Sequence, residues 1–451
     1  LIFQKTTVIR SSEDLEKYCV RERSRAFESN SNVHQRVIGI IEKLLPLENR
    51  KRELELLVKQ LDSPEASEIN ILRRPTQINL PSDHANAIDC AIQRVTEFHQ
   101  VQLEKITCGW DFDGDRFAWH KPVTKKGSGT QGQILTPVES AGIYVPGGLA
   151  SYPSSVIMNV IPAKVAGVKR IIIATPPGAD GCISTAVQYA AWKLGVEALV
   201  AAGGAHAIAT LALGLGDQFD GADVIAGPGN DYVNEAKRYF WGKVGLDGLA
   251  GPSEIAVALD DHGSIEFSVA DLLAQVEHAP DNIARLYVPS EKLLDLCILE
   301  VEAQLENAPR KTVMGESLIK HGEAVVLAYG LFRDHLLDAI EAFAPEHLSL
   351  QVEHGSELMK KIRNAGSISI GSLSAQSFGD YSAGPSHTLP TKRASRFGNA
   401  VNVQTFMKLT SFLDCDENDA LELAEIAEVL GNLEGLPAHA TNARMRNFIK
   451  K

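Results

Sequence analysis

None of the six cysteines of this chain (Cys19, Cys90, Cys108, Cys182, Cys297, Cys415) stands in a CxxC pair. That spacing argues against a disulfide framework and against a thiolate metal site, and it fits reduced thiols in a cytoplasm or a plastid stroma. Lysine and arginine form no long run and the formal net charge is -13, which excludes a basic surface for nucleic acid or for an anionic membrane and leaves small molecules as the expected partners. One uncharged stretch, ALVAAGGAHAIATLALGLG (198–216), has the length of a membrane span. Its alanine and glycine content, the Gly203-Gly204 break and His206 fit a strand, a tight turn and a buried helix instead. An initiator methionine is missing as well. The chain opens on Leu1, so a trimmed start is expected, in which a transit or signal segment would not be visible, and cytoplasmic placement is the expectation that remains.

At 451 residues with 44% hydrophobic content, the chain can fill two or more cores. Apolar positions recur at helical spacing in VIGIIEKLLPL and ANAIDCAIQRVTEFH, which predicts a helical N-terminal region over 1–110. Residues 111–136 read as a strand or hairpin region. They contain GSGTQG (127–132), a literal match to the dinucleotide fingerprint that follows Lys125-Lys126 rather than an apolar strand and opens no helix, so it is discounted. From Gly142 on, β-branched runs (GIYV, RIIIAT, EALVAA, DVIAG) alternate with amphipathic segments, and after AGPSE the alternation restarts with EIAVAL, ARLYVP, EAVVLA, LSLQV and SISIG. The pattern predicts an α/β protein with two Rossmann-like doubly wound domains, 111–247 and 248–392, ligands beyond the strand C-termini, and a C-terminal helical tail over 393–451.

Three features carry chemistry. The turns PGGLASYPSS and AGPGN place backbone N–H groups at helix N-termini, where phosphate binds, although tight turns also need glycine for steric reasons alone. Gln275 and His278, three apart in AQVEHAPD, would leave one face of a helix. With Asp380 in the turn-rich FGDYSAGPSHTLP and His439 in EGLPAHA, they make a set of two nitrogens and two oxygens that suits zinc. Spacing does not bring these pieces together, and a lone histidine is ordinarily a hydrogen-bonded structural residue. Third, Pro345-Glu346-His347 ends the helical segment DAIEAFAPEH. An imidazole titrating near neutrality beside a carboxylate can serve as an acid/base pair, or both can be solvated at a helix end.

The strings YVPGG (144–148), GPGN (227–230) with EAKR (235–238), AGPSE (250–254), QVEHAPD, PEH (345–347), GDY with AGPSHTLPT (379–391) and EGLPAH (434–439) resemble, in order, the histidinol dehydrogenase family from about residue 143 onward. The first hundred residues match poorly. The resemblance implies oxidation of L-histidinol to L-histidine through a bound aldehyde with two NAD, and zinc held by Gln275, His278, Asp380 and His439. It places Tyr144, His206 and Asn230 on cofactor positions and the acid/base pair on Glu346 and His347. It adds Ser154, Ser253, His387 and Glu434 to Gln275, His278, His347, Asp380 and His439 as substrate contacts. It also implies a homodimer in which the tail of one subunit completes the other's site. Two departures stand out: His206 where the family usually has Gln, and Ser386 where it typically has Asn. A related zinc/NAD dehydrogenase acting on another small alcohol, such as a sulfonated diol, is the alternative reading. A metal-binding homologue without catalysis and a zinc hydrolase are two others, the last leaving the two strand-turn-helix sites without a use.

Overall fold

A computed structural model describes residues 2–3, 5–25, 31–65, 71–73, 78–147, 151–328, 330 and 332–450. The chain forms two units, Leu1–Gln100 with Glu139–Thr405, and Val101–Val138 with Phe406–Lys451.

The larger unit contains two six-stranded sheets. The first runs, in spatial order, Gly245–Leu246, Val224–Ala226, Ser140–Tyr144, Arg170–Thr175, Ala198–Ala201 and Ile71–Leu72. All pairs are parallel except the last. The second runs Lys5–Ile9, Gly322–Leu327, Ile283–Val288, Glu254–Leu259, His347–Gln351 and Ser367–Ile370, parallel throughout. Both are doubly wound. The chain reverses its direction of growth between Ser140–Tyr144 and Val224–Ala226 in one sheet, and between Glu254–Leu259 and His347–Gln351 in the other.

The β-branched runs of the sequence are these strands because both faces are covered. In Glu254–Leu259, Ile255, Val257 and Leu259 enter one core cluster and Ala256 and Ala258 the opposite one. An alternation-free apolar run is what such a parallel strand requires. Each fully buried Ile or Leu stabilises by about 2 kcal/mol. The stretch at 198–216 resolves as the strand Ala198–Ala201, a turn and the helix Gly204–Leu213. Among the described residues no helix is long and apolar enough to cross a membrane.

The N-terminal region is divided between the two cores rather than packed as a helical block. Lys5–Ile9 is a strand on the edge of the second sheet, paired with Gly322–Leu327. Helices Ser31–Leu44 and Arg50–Leu61 bury Val37, Ile41, Leu44, Leu54, Leu57 and Val58 in the core of the first.

The smaller unit is an antiparallel sheet, Met407–Asp414, Thr130–Pro137, Arg116–Pro122 and Asp111–Asp113, with the helices Glu417–Leu433 and Pro437–Arg444. Residues 111–138, expected to open the first α/β domain, therefore pair with the C-terminal segment, and the mostly helical tail includes a strand. Gly431 lets the two helices approach, since a Cβ there would lie 2.7 Å from the Ala440 nitrogen. The GSGTQG stretch is held by protein carboxylates. Ser128 N–H donates to Asp416 at 2.7 Å and Gly129 N–H to the fully buried Asp419 at 2.8 Å. Its amides are thereby occupied, and the segment runs into a strand.

Candidate active site

Eight of the residues singled out in the sequence line one cavity of about 160 Å³ in the larger unit: Ser154, Ser253, Gln275, His278, Glu346, His347, Asp380 and His387. Pro146 and Pro228, just past two strands of the first sheet, close its other side. The placement differs from expectation in the second sheet. Ser253 precedes Glu254–Leu259, and Glu346 and His347 open His347–Gln351, so this sheet presents its strand N-termini to the cavity while the first presents its C-termini.

Glu346 and His347 do not end a helix. Helix Phe332–Phe343 stops before Ala344, which has φ +51°. Pro345 has no N–H and disfavours the helical conformation of the residue before it. The chain then turns straight into the sheet, burying both side chains. The Glu346 carboxylate accepts from the Glu254 N–H at 2.8 Å. Burial pushes its pKa well above the usual carboxylate range; that hydrogen bond pulls it back in part, and the charges of Glu254 and Asp380 raise it further. Burial drives His347 down to about 3, and His387 and His278 add to the effect, so its ring is neutral, with a lone pair on one nitrogen. Its Nε2 lies 3.7 Å from Glu346 Oε1, beyond hydrogen-bond length, leaving each group a separate function.

Gln275 sits in the last turn of Ile265–Val276, whose C-cap is Glu277. His278 is therefore past the helix rather than on it, because Pro280 ends the helical path. Both still reach the cavity. Asn282, buried, links them to the opposite wall by accepting from Ser253 N–H at 3.2 Å and donating to Gln275 O at 2.8 Å. Asp380 lies on a short helix, Gln376–Tyr381, rather than in a turn, and accepts from Gln275 Nε2 at 3.3 Å. Burial pushes Asp380 up to about 7, the Gln275 hydrogen bond offsetting only part of this. A buried carboxylate so short of compensation favours a cation. His278 is lowered by burial, which leaves its ring in the unprotonated form a metal takes. His387 is held by a 2.9 Å contact of Nδ1 with the Asp380 carbonyl and a 3.4 Å contact of Nε2 with Ser155 Oγ; burial lowers it to about 4. Ser386 is buried, its Oγ accepting from Thr388 N–H at 3.2 Å. Among the described residues no three His, Cys, Asp or Glu side chains converge as a metal site. The larger unit contributes only His278 and Asp380 of those types to the expected set, beside Gln275. His439, on Pro437–Arg444, and Glu434, the C-cap of Glu417–Leu433, are exposed residues of the smaller unit.

Tyr144, His206 and Asn230 line a second cleft of about 680 Å³ beside the switch point of the first sheet. Tyr144, pushed up to about 12 chiefly by burial, stays a neutral phenol and accepts from the Gly204 N–H at 3.2 Å. The Asn230 side chain caps its own helix, accepting from Tyr232 and Val233 N–H at 3.1 and 3.2 Å. This corrects the reading of AGPGN as a row of free amides, because an N-cap side chain satisfies them first. In the other turn, residues 148–150 lie outside the described residues. Two contributors were not foreseen. Asp62 accepts from the Gly203 N–H at 2.9 Å and stands 2.7 Å from His206 Nε2. Gln376 meets the Nδ1 of His347. Asp62 lies in the N-terminal hundred residues, where the sequence offered no motif; Gln376 lies four residues before Asp380, the one signal that could have found it.

Parallel α/β sheets with a histidine–carboxylate cavity and a ligand-sized cleft at strand ends have the layout of an α/β enzyme. Comparison with known proteins narrows the class. The sequence model of the family described as histidinol dehydrogenase matches residues 23–447. The histidinol dehydrogenase of Synechococcus sp. is 41% identical over 370 residues, 81% of this chain and 80% of its own. That of Prochlorococcus marinus is 36% identical over 444 residues, 95% of this chain and 96% of its own. The crystal structure of histidinol dehydrogenase from Elizabethkingia anophelis superposes with a TM-score of 0.83 at 28% identity, covering 98% of each chain. The chain belongs to the histidinol dehydrogenase family, and it is an oxidoreductase.

Proposed function

We propose that this enzyme oxidises L-histidinol to L-histidine, with NAD as oxidant and one zinc at the site. The reading is carried by the convergence of eight side chains from distant segments on one small cavity. Overall, L-histidinol, two NAD+ and one water would yield L-histidine, two NADH and three protons. Gln275, His278, Asp380 and His439 would hold the zinc, and the uncompensated Asp380 carboxylate and neutral His278 fit that task. Tyr144, His206 and Asn230 would hold the cofactor in the larger cleft. When bound, zinc would anchor the substrate's amino and imidazole nitrogens, and NAD would take hydride from its carbinol carbon.

The chain's own residues supply the proton chemistry. His347, neutral because it is buried, would take the alcohol proton in the first oxidation. Glu346, in its ionised form, would take a proton from the water that adds to the aldehyde, giving the anionic hydrate from which the second hydride leaves. Ser154, Ser253, His387 and Glu434 would fix the substrate's orientation, and orientation alone is worth several powers of ten in rate. We read the assembly as a homodimer in which His439 and Glu434 complete the partner's site.

The test is NADH formation from L-histidinol against a panel of small diols, sulfonated diols and amino alcohols, with and without chelator. Turnover of L-histidinol alone, abolished by chelator and restored by zinc, is the expected result. Preference for another alcohol would transfer the reading to a related dehydrogenase.

A further inference from the structure

The Nδ1 of His347 meets the side-chain Nε2 of Gln376, and the Oε1 of the same amide is buried without a hydrogen-bond partner among the described residues. A neutral ring allows two arrangements: the amide nitrogen donates to Nδ1, or the amide oxygen accepts from Nδ1–H. A half-turn of the amide about its last bond exchanges oxygen and nitrogen, so that Oε1 accepts from a hydrogen on Nδ1. The orphaned oxygen then gains a partner, and the choice between the two arrangements follows from which ring nitrogen must carry the lone pair. We infer that Gln376 is a positioning residue that selects the tautomer of His347, accepting from Nδ1–H and leaving the lone pair of Nε2 toward the cavity.

The consequence is chemical. A neutral imidazole has one N–H and one lone pair, and a general base must present the lone pair to the proton it takes. Were the amide to donate instead, the hydrogen would sit on Nε2, the atom that faces Glu346, and the ring could not accept the alcohol proton there. The setting of Gln376 is rigid enough for such selection. It is buried, and its backbone N–H donates to Asp271 Oδ1 at 3.0 Å. The other oxygen of Asp271 accepts from Ser349 Oγ at 2.8 Å and from Gln351 Nε2 at 3.2 Å, and all three of these side chains are buried. Ser349 and Gln351 belong to the strand that His347 opens. The network thus fixes the donor and the acceptor of the tautomer-setting bond to one frame.

The inference rests on the proposed role of His347 as base, and three variants separate the two. Gln376→Met keeps the length of the side chain and removes the acceptor. It should lower kcat about 100-fold or more, the usual worth of a positioned base, with little change in KM for L-histidinol or in zinc content. Gln376→Glu, assayed at alkaline pH where the carboxylate can only accept, should recover most of that loss, because it demands the same Nδ1–H tautomer. Glu as inactive as Met, or Met as active as wild type, would overturn the inference. His347→Gln with turnover intact would instead remove the proposed base itself. Should Gln376→Met not fold, 15N chemical shifts of the His347 ring in the wild-type protein decide alone. A protonated Nδ1 with an unprotonated Nε2 is expected, and the reverse tautomer overturns the assignment.

Discussion

Burial sets the protonation state of the individual residues in the cavity, and it does so in opposite directions for its acids and its bases. Glu346 is raised and His347 lowered to about 3, both chiefly by burial. One consequence concerns chemistry. Glu346→Gln should slow acid formation from the aldehyde more than alcohol oxidation, because hydration alone needs the carboxylate base; half-reaction rates that fall equally would remove the division of roles. Another concerns stability. The folded pKa of His347 lies below its unfolded value of about 6.5, so the unfolded state binds the extra proton. The stability involved is present above about pH 6.5 and is lost as pH falls toward 3. In chelator, the wild type should lose about 2 kcal/mol more than His347→Gln between pH 7.5 and 4.5, by urea unfolding at each pH. An equal loss in both proteins would mean that His347 is protonated in the folded state.

Among the elements, the turn after the strand Val224–Ala226 contributes Pro228 to the small cavity and Asn230 to the larger cleft. Gly227 has φ +123°, and a Cβ on it would lie 2.0 Å from the carbonyl oxygen of Tyr144. Its N–H donates to Asp247 Oδ2 at 2.8 Å, while the buried Lys237 donates to its carbonyl at 2.7 Å and to Asp247 at 2.6 Å. Gly227→Ala should cost about 3 kcal/mol or more, read as a lowered urea midpoint, with weakened NAD binding in whatever protein folds. A near-neutral effect would show that the turn can shift without loss. The same level shows where local pattern was sufficient. The runs RIIIAT and EIAVAL are the strands Arg170–Thr175 and Glu254–Leu259 residue for residue, since a fully buried parallel strand needs an unbroken apolar run. KTTVI and MKLTSFLD were strands as well. Their pairing partners lie far along the chain, at Gly322–Leu327 and Thr130–Pro137, and a short run without its partner carries too weak a signal.

For the whole molecule, the proposed exchange of tails in a homodimer turns on His439 and Glu434. Both lie in the smaller unit, and the cavity is lined by the larger one. If tails are exchanged in a two-fold dimer, inactive His347→Ala and inactive His439→Ala proteins should regain part of the activity when their subunits re-associate, because some mixed dimers would hold one intact site. Heterodimers shown to form without any recovery would place His439 in its own subunit's site.

The sequence by itself determined the two doubly wound sheets, since periodicity and β-branched runs are local properties. It also named eight of the residues that line the cavity, since their strings are contiguous and ordered. Only the tertiary structure decided that Ser253, Glu346 and His347 face the cavity from strand N-termini, that the N-terminal hundred residues divide between two cores, and that Asp62 and Gln376 touch His206 and His347. The reason is range. A strand or a cap is fixed by neighbours a few positions away, whereas a contact such as Gln376 with His347, or Asp62 with His206, depends on long-range packing that no local pattern records.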